Sequence, residues 1–311
     1  LLWRTSTFRG NKNLSFGAWA AWSGGDVPDG RRSGWGFKLD YPNDLWDVYA
    51  LVKDFGAGLD PAMGFLPRPG TTHYQAGGQF KPRPQGGTFS WARQFFFKFY
   101  PLLVRSDDGR TESWNIYMSP FGVQTQSGEY IETAIWPKFE RLDYGFEIAD
   151  GVVIPPGEYE YTRFKAGAQT SRHRAWRVGA SVWFGDFFTG TLTQTEGFVN
   201  YTTPSGHLQP ELEAENNSGS LPEGDFTLDL WRFKATYAFT PDLILSNYIQ
   251  YDSESRDLGT NTRFRWTIKP GNDFFVVWYH GWRHPLTSTD WWSLHPVSDQ
   301  LVVKLRWTFR W

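Results

Sequence analysis

The chain contains no cysteine, which excludes disulfides, thiolate metal sites and a cysteine nucleophile. No apolar stretch approaches the roughly 18 residues of a membrane-crossing helix. A membrane could then be crossed only as a closed β-barrel, the other structure that pairs every backbone group in lipid. Charge of one sign is lacking too: the net charge is −2 over 311 residues. With no Lys/Arg runs to track phosphates, nucleic acid is set aside as a partner. Sustained i, i+3, i+4 apolar spacing is also missing, so helices are not expected. Signal-peptide anatomy is absent from Leu1-Leu2-Trp3-Arg4. The chain begins in strand-like sequence, and the expectation is a processed chain or a fragment whose upstream part is missing.

Aromatic residues are abundant: 18 Trp, 14 Tyr and 26 Phe make up 19% of the chain, within a hydrophobic share of 40%. Few aliphatic residues remain for a conventional core. Such numbers of Trp and Tyr suit a molecule with two water–lipid boundaries, where amphipathic rings sit at headgroup level. A sugar-binding protein is the alternative, because sugar faces stack on indoles.

Period-two alternation runs through the whole chain and predicts strands. They fall at about residues 2–9, 14–22, 34–41, 45–53, 71–81, 89–103, 109–119, 129–139, 158–168, 176–185, 190–203, 206–216, 226–239, 243–253, 259–268, 273–283 and 301–311. Residues 140–156 read as a loop, and Pro210 inside a strand suggests a bulge, since proline donates no ladder hydrogen bond. The last strand is the clearest. Leu301, Val303, Leu305, Trp307, Phe309 and Trp311 share one face, and Val302, Lys304, Arg306, Thr308 and Arg310 the other. It resembles the closing strand of an outer-membrane barrel, whose terminal aromatics Trp307, Phe309 and Trp311 would be the assembly signal. An edge strand of a secreted β-protein is the other reading.

Towards the C-terminus short turns alternate with longer loops, as in bacterial barrels with short periplasmic turns and long extracellular loops. Counted back from a periplasmic C-terminus, the longest connections fall outside and most tight ones inside; residues 104–108 and 186–189 are the exceptions. About 17 strands are expected, an odd number. A bacterial single-chain barrel has an even number, so either the count is off by one or further strands precede Leu1.

The second half resembles the C-terminal barrel region of a group of bacterial outer-membrane proteins of largely unknown function. The resemblance lies in Gly224-Asp225-Phe226, Tyr237-Ala238-Phe239-Thr240-Pro241-Asp242-Leu243 and Gln250-Tyr251-Asp252. It continues in Thr260-Asn261-Thr262-Arg263-Phe264-Arg265-Trp266, Pro270-Gly271-Asn272-Asp273-Phe274-Phe275-Val276-Val277 and Leu301-Val302-Val303-Lys304-Leu305. In the first half, the stretch from Asp60 to Arg68 looks like that family's Pro-x-x-Gly-Phe-x-Pro-Arg element. Members usually carry a family 9-type carbohydrate-binding module upstream, which has no counterpart in these 311 residues. The resemblance implies a barrel fold and no catalytic motif.

Chemistry-bearing residues are sparse. Ser205-Gly206-His207 falls at a tight turn, and there is no Gly-x-Ser-x-Gly elbow, so no catalytic residues are assigned. His173 lies between two arginines, His280 and His284 flank a strand end, and Asp107-Asp108 and Glu223-Gly224-Asp225 lack the ligand number of a calcium site; no metal or cofactor is expected. The polar strand rows are more informative. Glu211, Glu213 and Glu215 form an acidic row, and Arg232 with Lys234, Arg263 with Arg265, and Lys304 with Arg306 and Arg310 form basic ones. A cation on the lipid face costs about 2–4 kcal/mol near the midplane, so within a barrel these rows should line the lumen. There they would either neutralise one another or select a polar solute. Trp291 and Trp292, inside a long loop, are candidates for surface recognition.

Together these readings predict an all-β chain: an antiparallel transmembrane β-barrel with about 16–18 strands visible, one domain over residues 1–311 and the C-terminal part of a larger barrel. Its place would be a Gram-negative outer membrane, with the lipid bilayer and the barrel-assembly machinery as partners. Its work would be non-enzymatic, as channel or surface receptor for a polar, carbohydrate-related solute. The alternatives are an anchoring barrel subunit of a cell-envelope assembly with a plugged lumen, and a secreted sugar-binding β-protein.

Overall fold

The computed structural model describes residues 1–66, 68–285 and 293–309. Strand accounts for 71% of the chain, with no α-helix among the described residues. Seventeen strands form one large antiparallel sheet, the number expected from the alternation. The sheet is not closed.

The chain divides into two compact units. The first holds β1 (Leu2–Phe8), β2 (Lys12–Trp22), β3 (Ser33–Pro42), β4 (Trp46–Phe55), β5 (Thr71–Phe80), β6 (Ala92–Ser106), β7 (Thr111–Thr125) and β8 (Tyr130–Leu142). Each pairs antiparallel with the next. A short hairpin of β9 (Phe146–Ala149) and β10 (Val152–Ile154) follows, then β11 (Gly157–Gln169), which is bonded to β8. After β12 (Trp176–Phe187) and β13 (Gly190–Tyr201), the second unit runs through β14 (Leu208–Leu221), β15 (Gly224–Thr240), β16 (Leu243–Asp252), β17 (Asp257–Lys269), β18 (Asn272–Arg283) and β19 (His295–Arg306). These six also pair in chain order.

Turn chemistry sets where strands stop. The Asn43 side chain holds the Asn13 backbone across the first two tight turns, with Asn13 N donating to Asn43 Oδ1 at 2.8 Å and Asn43 Nδ2 to Asn13 O at 2.9 Å. The link between β5 and β6 is longer than the alternation suggested. Pro82 and Pro84 lack donors, and Gly86 and Gly87 adopt φ of 89° and 70°, so residues 81–91 leave the ladder. A long connection therefore lies at the end where tight turns were expected. The expected loop at 140–156 contains the β9–β10 hairpin, in which Ala149, Val152 and Ile154 are buried.

Two local expectations are corrected. The register between β14 and β15 is unbroken across Pro210↔Ala235, so there is no bulge. Ala238 N donates to His207 O, so residue 207 and every second one after it bond to β15, and the amide-less nitrogen of Pro210 falls on the other edge. The final strand ends at Arg306 and does not run on to residue 311. Its last ladder pair is Asp273↔Arg306; beyond that, β18 gives way to its turn and offers nothing to pair with. Thr308 instead caps the turn, its N donating to Asn272 Oδ1 and its hydroxyl to Gly271 O, both at 2.7 Å. Trp307 and Phe309 lie outside the strand, with Lys269 Nζ 5.3 Å from the Trp307 ring centroid. Arg310 and Trp311 fall outside the described residues.

The sheet has two chemically opposite faces. Side chains of directly opposed residues share a face, so the registers trace each row. In the second unit, Leu208, Tyr237, Leu245, Phe264, Val276 and Val303 make one row, and Ala214, Trp231, Tyr251, Leu258 and Trp282 another. In the first unit, Phe37, Val52, Tyr74, Leu103, Trp114 and Phe139 do the same. Small residues such as Ala50 and Ala76 leave an apolar recess of about 710 Å³ there. Polar groups on this face satisfy each other: Asn247 Nδ2 donates to Thr262 Oγ1 at 2.7 Å, and Trp278 Nε1 donates to Asp299 Oδ1 at 2.9 Å.

This apolar face is exposed. Trp231, Trp266 and Trp278 keep 47–48% of their surface and Leu301 64%. Among the described residues no tryptophan is buried, and the buried apolar set consists mostly of Ala, Val, Ile and Leu. A water-soluble monomer rarely leaves apolar patches of this extent open.

Candidate functional site

The other face carries nearly every ionisable residue singled out from the sequence. Glu213 lies opposite Arg232 and Glu211 opposite Lys234. The same face continues through Ser246 and Ile244 to Arg263 and Arg265. Val277 and Phe275 oppose that pair on β18, and Phe275 and Asp273 oppose Lys304 and Arg306 on β19. Six strands thus bring Glu211, Glu213, Glu215, Arg232, Lys234, Arg263, Arg265, Lys304 and Arg306 to one side of the sheet.

Their pairing is uneven. Arg232 bridges the acidic row, with Nη1 2.9 Å from Glu213 and Nη2 3.5 Å from Glu215. A recess of about 310 Å³ opens beside it, lined by Glu211, Glu213, Arg232, Lys234 and Tyr248. Arg306 is paired with Asp273, which also accepts from Thr267 at 2.8 Å. Lys234, Arg263, Arg265 and Lys304 make no ion pair among the described residues, and the buried Nε of Arg265 has no hydrogen-bond partner. The candidates Trp291 and Trp292 lie outside the described residues.

The first unit holds a second cluster on its polar face. The row Lys38, Leu51, Gln75, Leu102, Asn115, Lys138 runs across six strands. Beside it Tyr49, Tyr100, Tyr117 and Trp136 form a ladder of rings with successive centroids 6.3, 6.3 and 6.2 Å apart. Gly77 makes room between the first two. It sits opposite Tyr49 at φ 136°, and a Cβ there would collide with the Phe99 carbonyl.

Two carboxylates in this cluster accept from other side chains. Glu132 accepts from Lys98 Nζ at 2.5 Å and from the Tyr117 hydroxyl at 2.9 Å, with Lys165 4.0 Å away. Glu140 accepts from Arg68 at 2.5 Å, and Arg68 also donates to Ser113 Oγ. Arg68 ends the 60–68 loop, whose other end is held by Ser23 Oγ donating to Asp60 O at 2.8 Å. Lys138 has no such partner: its Nζ lies 3.3 Å from the Trp136 ring centroid and makes no ion pair among the described residues. On β11, Arg163 is 6% exposed, yet its Nε and Nη2 have no hydrogen-bond partner. An unpaired buried donor costs about 1–3 kcal/mol, and more when charged.

Alternation on β8 and β11 marked these positions as strand residues. Nothing in the local sequence marked β8 and β11 as neighbours, because they meet only through the sheet. His280 and His284 have separate partners, Asp299 and the Pro285 carbonyl, and no group of three or more His, Asp or Glu able to hold a metal occurs among the described residues. His207 Nδ1 lies 2.5 Å from Ala238 O and its amide faces Ser205 Oγ at 3.5 Å, the geometry of a turn.

What the fold defines is a class: an all-β chain built on one large antiparallel sheet with a polar and an apolar face. No family model and no curated protein matches the chain.

Proposed function

We propose that the chain is a transmembrane β-barrel of a bacterial outer membrane, with the apolar face towards lipid and the polar face towards a lumen. Its work is non-enzymatic: passage or surface capture of a polar, carbohydrate-related solute. The observation that carries this reading is the contrast between the two faces. An exposed surface of Trp, Phe, Tyr and Leu suits hydrocarbon and its interfaces, and charged rows suit water. In lipid no strand edge is left unpaired, so the open sheet has to close in the membrane, with β19, exposed at all twelve residues, facing lipid and lumen. Trp307, Phe309 and Trp311 are the segment offered to the barrel-assembly machinery.

Detergent dependence tests the reading. The protein should need detergent and show a compact band on unheated gels that shifts on boiling; free solubility without detergent sinks it. A second reading is an anchoring barrel with an occluded lumen, favoured by the cross-strand pairs Glu213–Arg232–Glu215 and Lys98–Glu132. Single-channel recording in a planar bilayer separates them, because the anchor passes no current.

A further inference from the structure

We propose that the β9–β10 hairpin folds onto the polar face and is the element that limits passage through the lumen; this rests on the polar face being turned to a lumen that a solute crosses. The polar face is not polar along its whole length. On β14 it carries Glu211, Glu213 and Glu215 and then Asn217, Gly219 and Leu221; on β15 it carries Phe226, Leu228 and Leu230 before Arg232 and Lys234. Leu192 on β13 joins this face, two residues before Gln194, whose side chain donates to Glu215 at 3.1 Å. Charges thus give way to an apolar patch towards the β14–β15 turn.

That patch is covered. Leu192, Leu221 and Phe226 are buried, whereas the Arg232 and Glu213 side chains further along the same face keep 33% and 40% of their surface. Gly219 lets Phe226 lie flat, since a Cβ there would stand 2.3 Å from its ring. The hairpin lies over the turn. Gly224 opposes Leu221 and so shares its face, and a Cβ on Gly224 would meet Val152 Cγ2 at 3.1 Å. The tip of the hairpin, Glu147–Val152, belongs to the same compact unit as these strands. Along β10, Val152 and Ile154 are buried and Val153 between them is exposed, so one side of the ribbon is packed and the other is open.

The hairpin is held at its turn and at its ends. Glu147 Oε1 accepts from Gly151 N at 3.1 Å, closing the turn, and the Tyr159 hydroxyl donates to Pro155 O at 2.6 Å where the chain leaves. Phe146 and Tyr159 both pack against the Phe188 ring, with centroids 6.4 and 5.3 Å away. A ribbon packed face-on against a sheet stands about 10 Å from it, so the hairpin takes about that much from the width of the lumen. Lifting it would put Val152, Ile154, Leu221 and Phe226 in water, which favours the folded-in position. The bore at this end is therefore set by one connection and not by strand number alone.

The test is single-channel recording of the whole chain in a planar bilayer, in about 1 M KCl, where a Debye length of about 3 Å screens added charges. Replacing residues 146–154, from the start of β9 to the end of β10, by a short Gly-Ser link should raise the conductance at least about twofold. Val152→Asp sets a carboxylate against the apolar patch and should shift the conductance towards that of the shortened chain. Val153→Asp adds the same charge on the open side and should leave the conductance at the parent value. Equal conductance in all four chains, no current from any of them, or Val152→Asp and Val153→Asp behaving alike overturns the inference. Where the shortened chain does not migrate as a folded band, the two point variants decide. Heat-modifiable migration of the parent reports on the barrel separately: its loss counts against the barrel, and its retention with conductance unmoved by the variants counts against the hairpin alone.

Discussion

Placing a cation on the apolar face measures what that face touches. Phe233 stands near the middle of the seventeen-residue β15, opposite Leu212 and Ile249. Tyr237 lies four residues further along the same face. At about 3.4 Å per residue and a strand tilt of about 40°, those four residues rise about 10 Å along the membrane normal. If Phe233 is near the midplane of an apolar band about 25 Å tall, Tyr237 is near its edge. Phe233→Arg should then cost about 2–4 kcal/mol and Tyr237→Arg about 0–1. In water the two sites are alike, 38% and 41% exposed, and both changes should stay within about 0.5 kcal/mol. Reversible urea unfolding from phosphatidylcholine vesicles gives the two differences directly. Equal, small effects at both positions would refute the lipid-facing assignment.

Other perturbations probe the polar face and the strand ends. Arg232→Met leaves Glu213 and Glu215 as unrelieved neighbours; because the pair is about one-third exposed, stability should fall by no more than about 1 kcal/mol, while channel current should shift towards cations in a planar bilayer. Gly77→Ala forces a side chain into a left-handed conformation against the Phe99 carbonyl and should cost about 1–3 kcal/mol. Gly86→Ala, in open space, should cost less in the same unfolding series. Asn272 is fully buried and anchors the residues after β19, so Asn272→Ala should lower stability by about 1–2 kcal/mol. In the β6–β7 turn, the Ser106 hydroxyl and the Arg110 amide and guanidinium hold the Asp108 carboxyl down to about 2. A depressed carboxylate stabilises above its unfolded pKa and loses that contribution as pH falls through the folded one. The turn should keep its Asp108 contacts down to about pH 2, as carboxyl chemical shifts will show.

By itself the sequence determined the number of strands in the large sheet and their two-faced character, though not the β9–β10 hairpin, because alternation along one strand is a local property. Leu301, Val303 and Leu305 could be assigned to one face and Lys304 and Arg306 to the other without any partner in view. It did not determine strand ends that depend on a neighbour. Arg306 is the last ladder residue only because β18 begins where it does, and Pro210 needs no bulge because its nitrogen falls on the edge away from β15. Nor did it determine which rows meet. That Glu213 faces Arg232 follows from register, and that Glu140 is taken by Arg68 follows from where the 60–68 loop packs. Register depends on turn geometry and on the fit of whole faces, so a slip of one residue would reverse every row. The chemistry of each face was written along the chain, and the tertiary structure decided which charges would find partners and which would not.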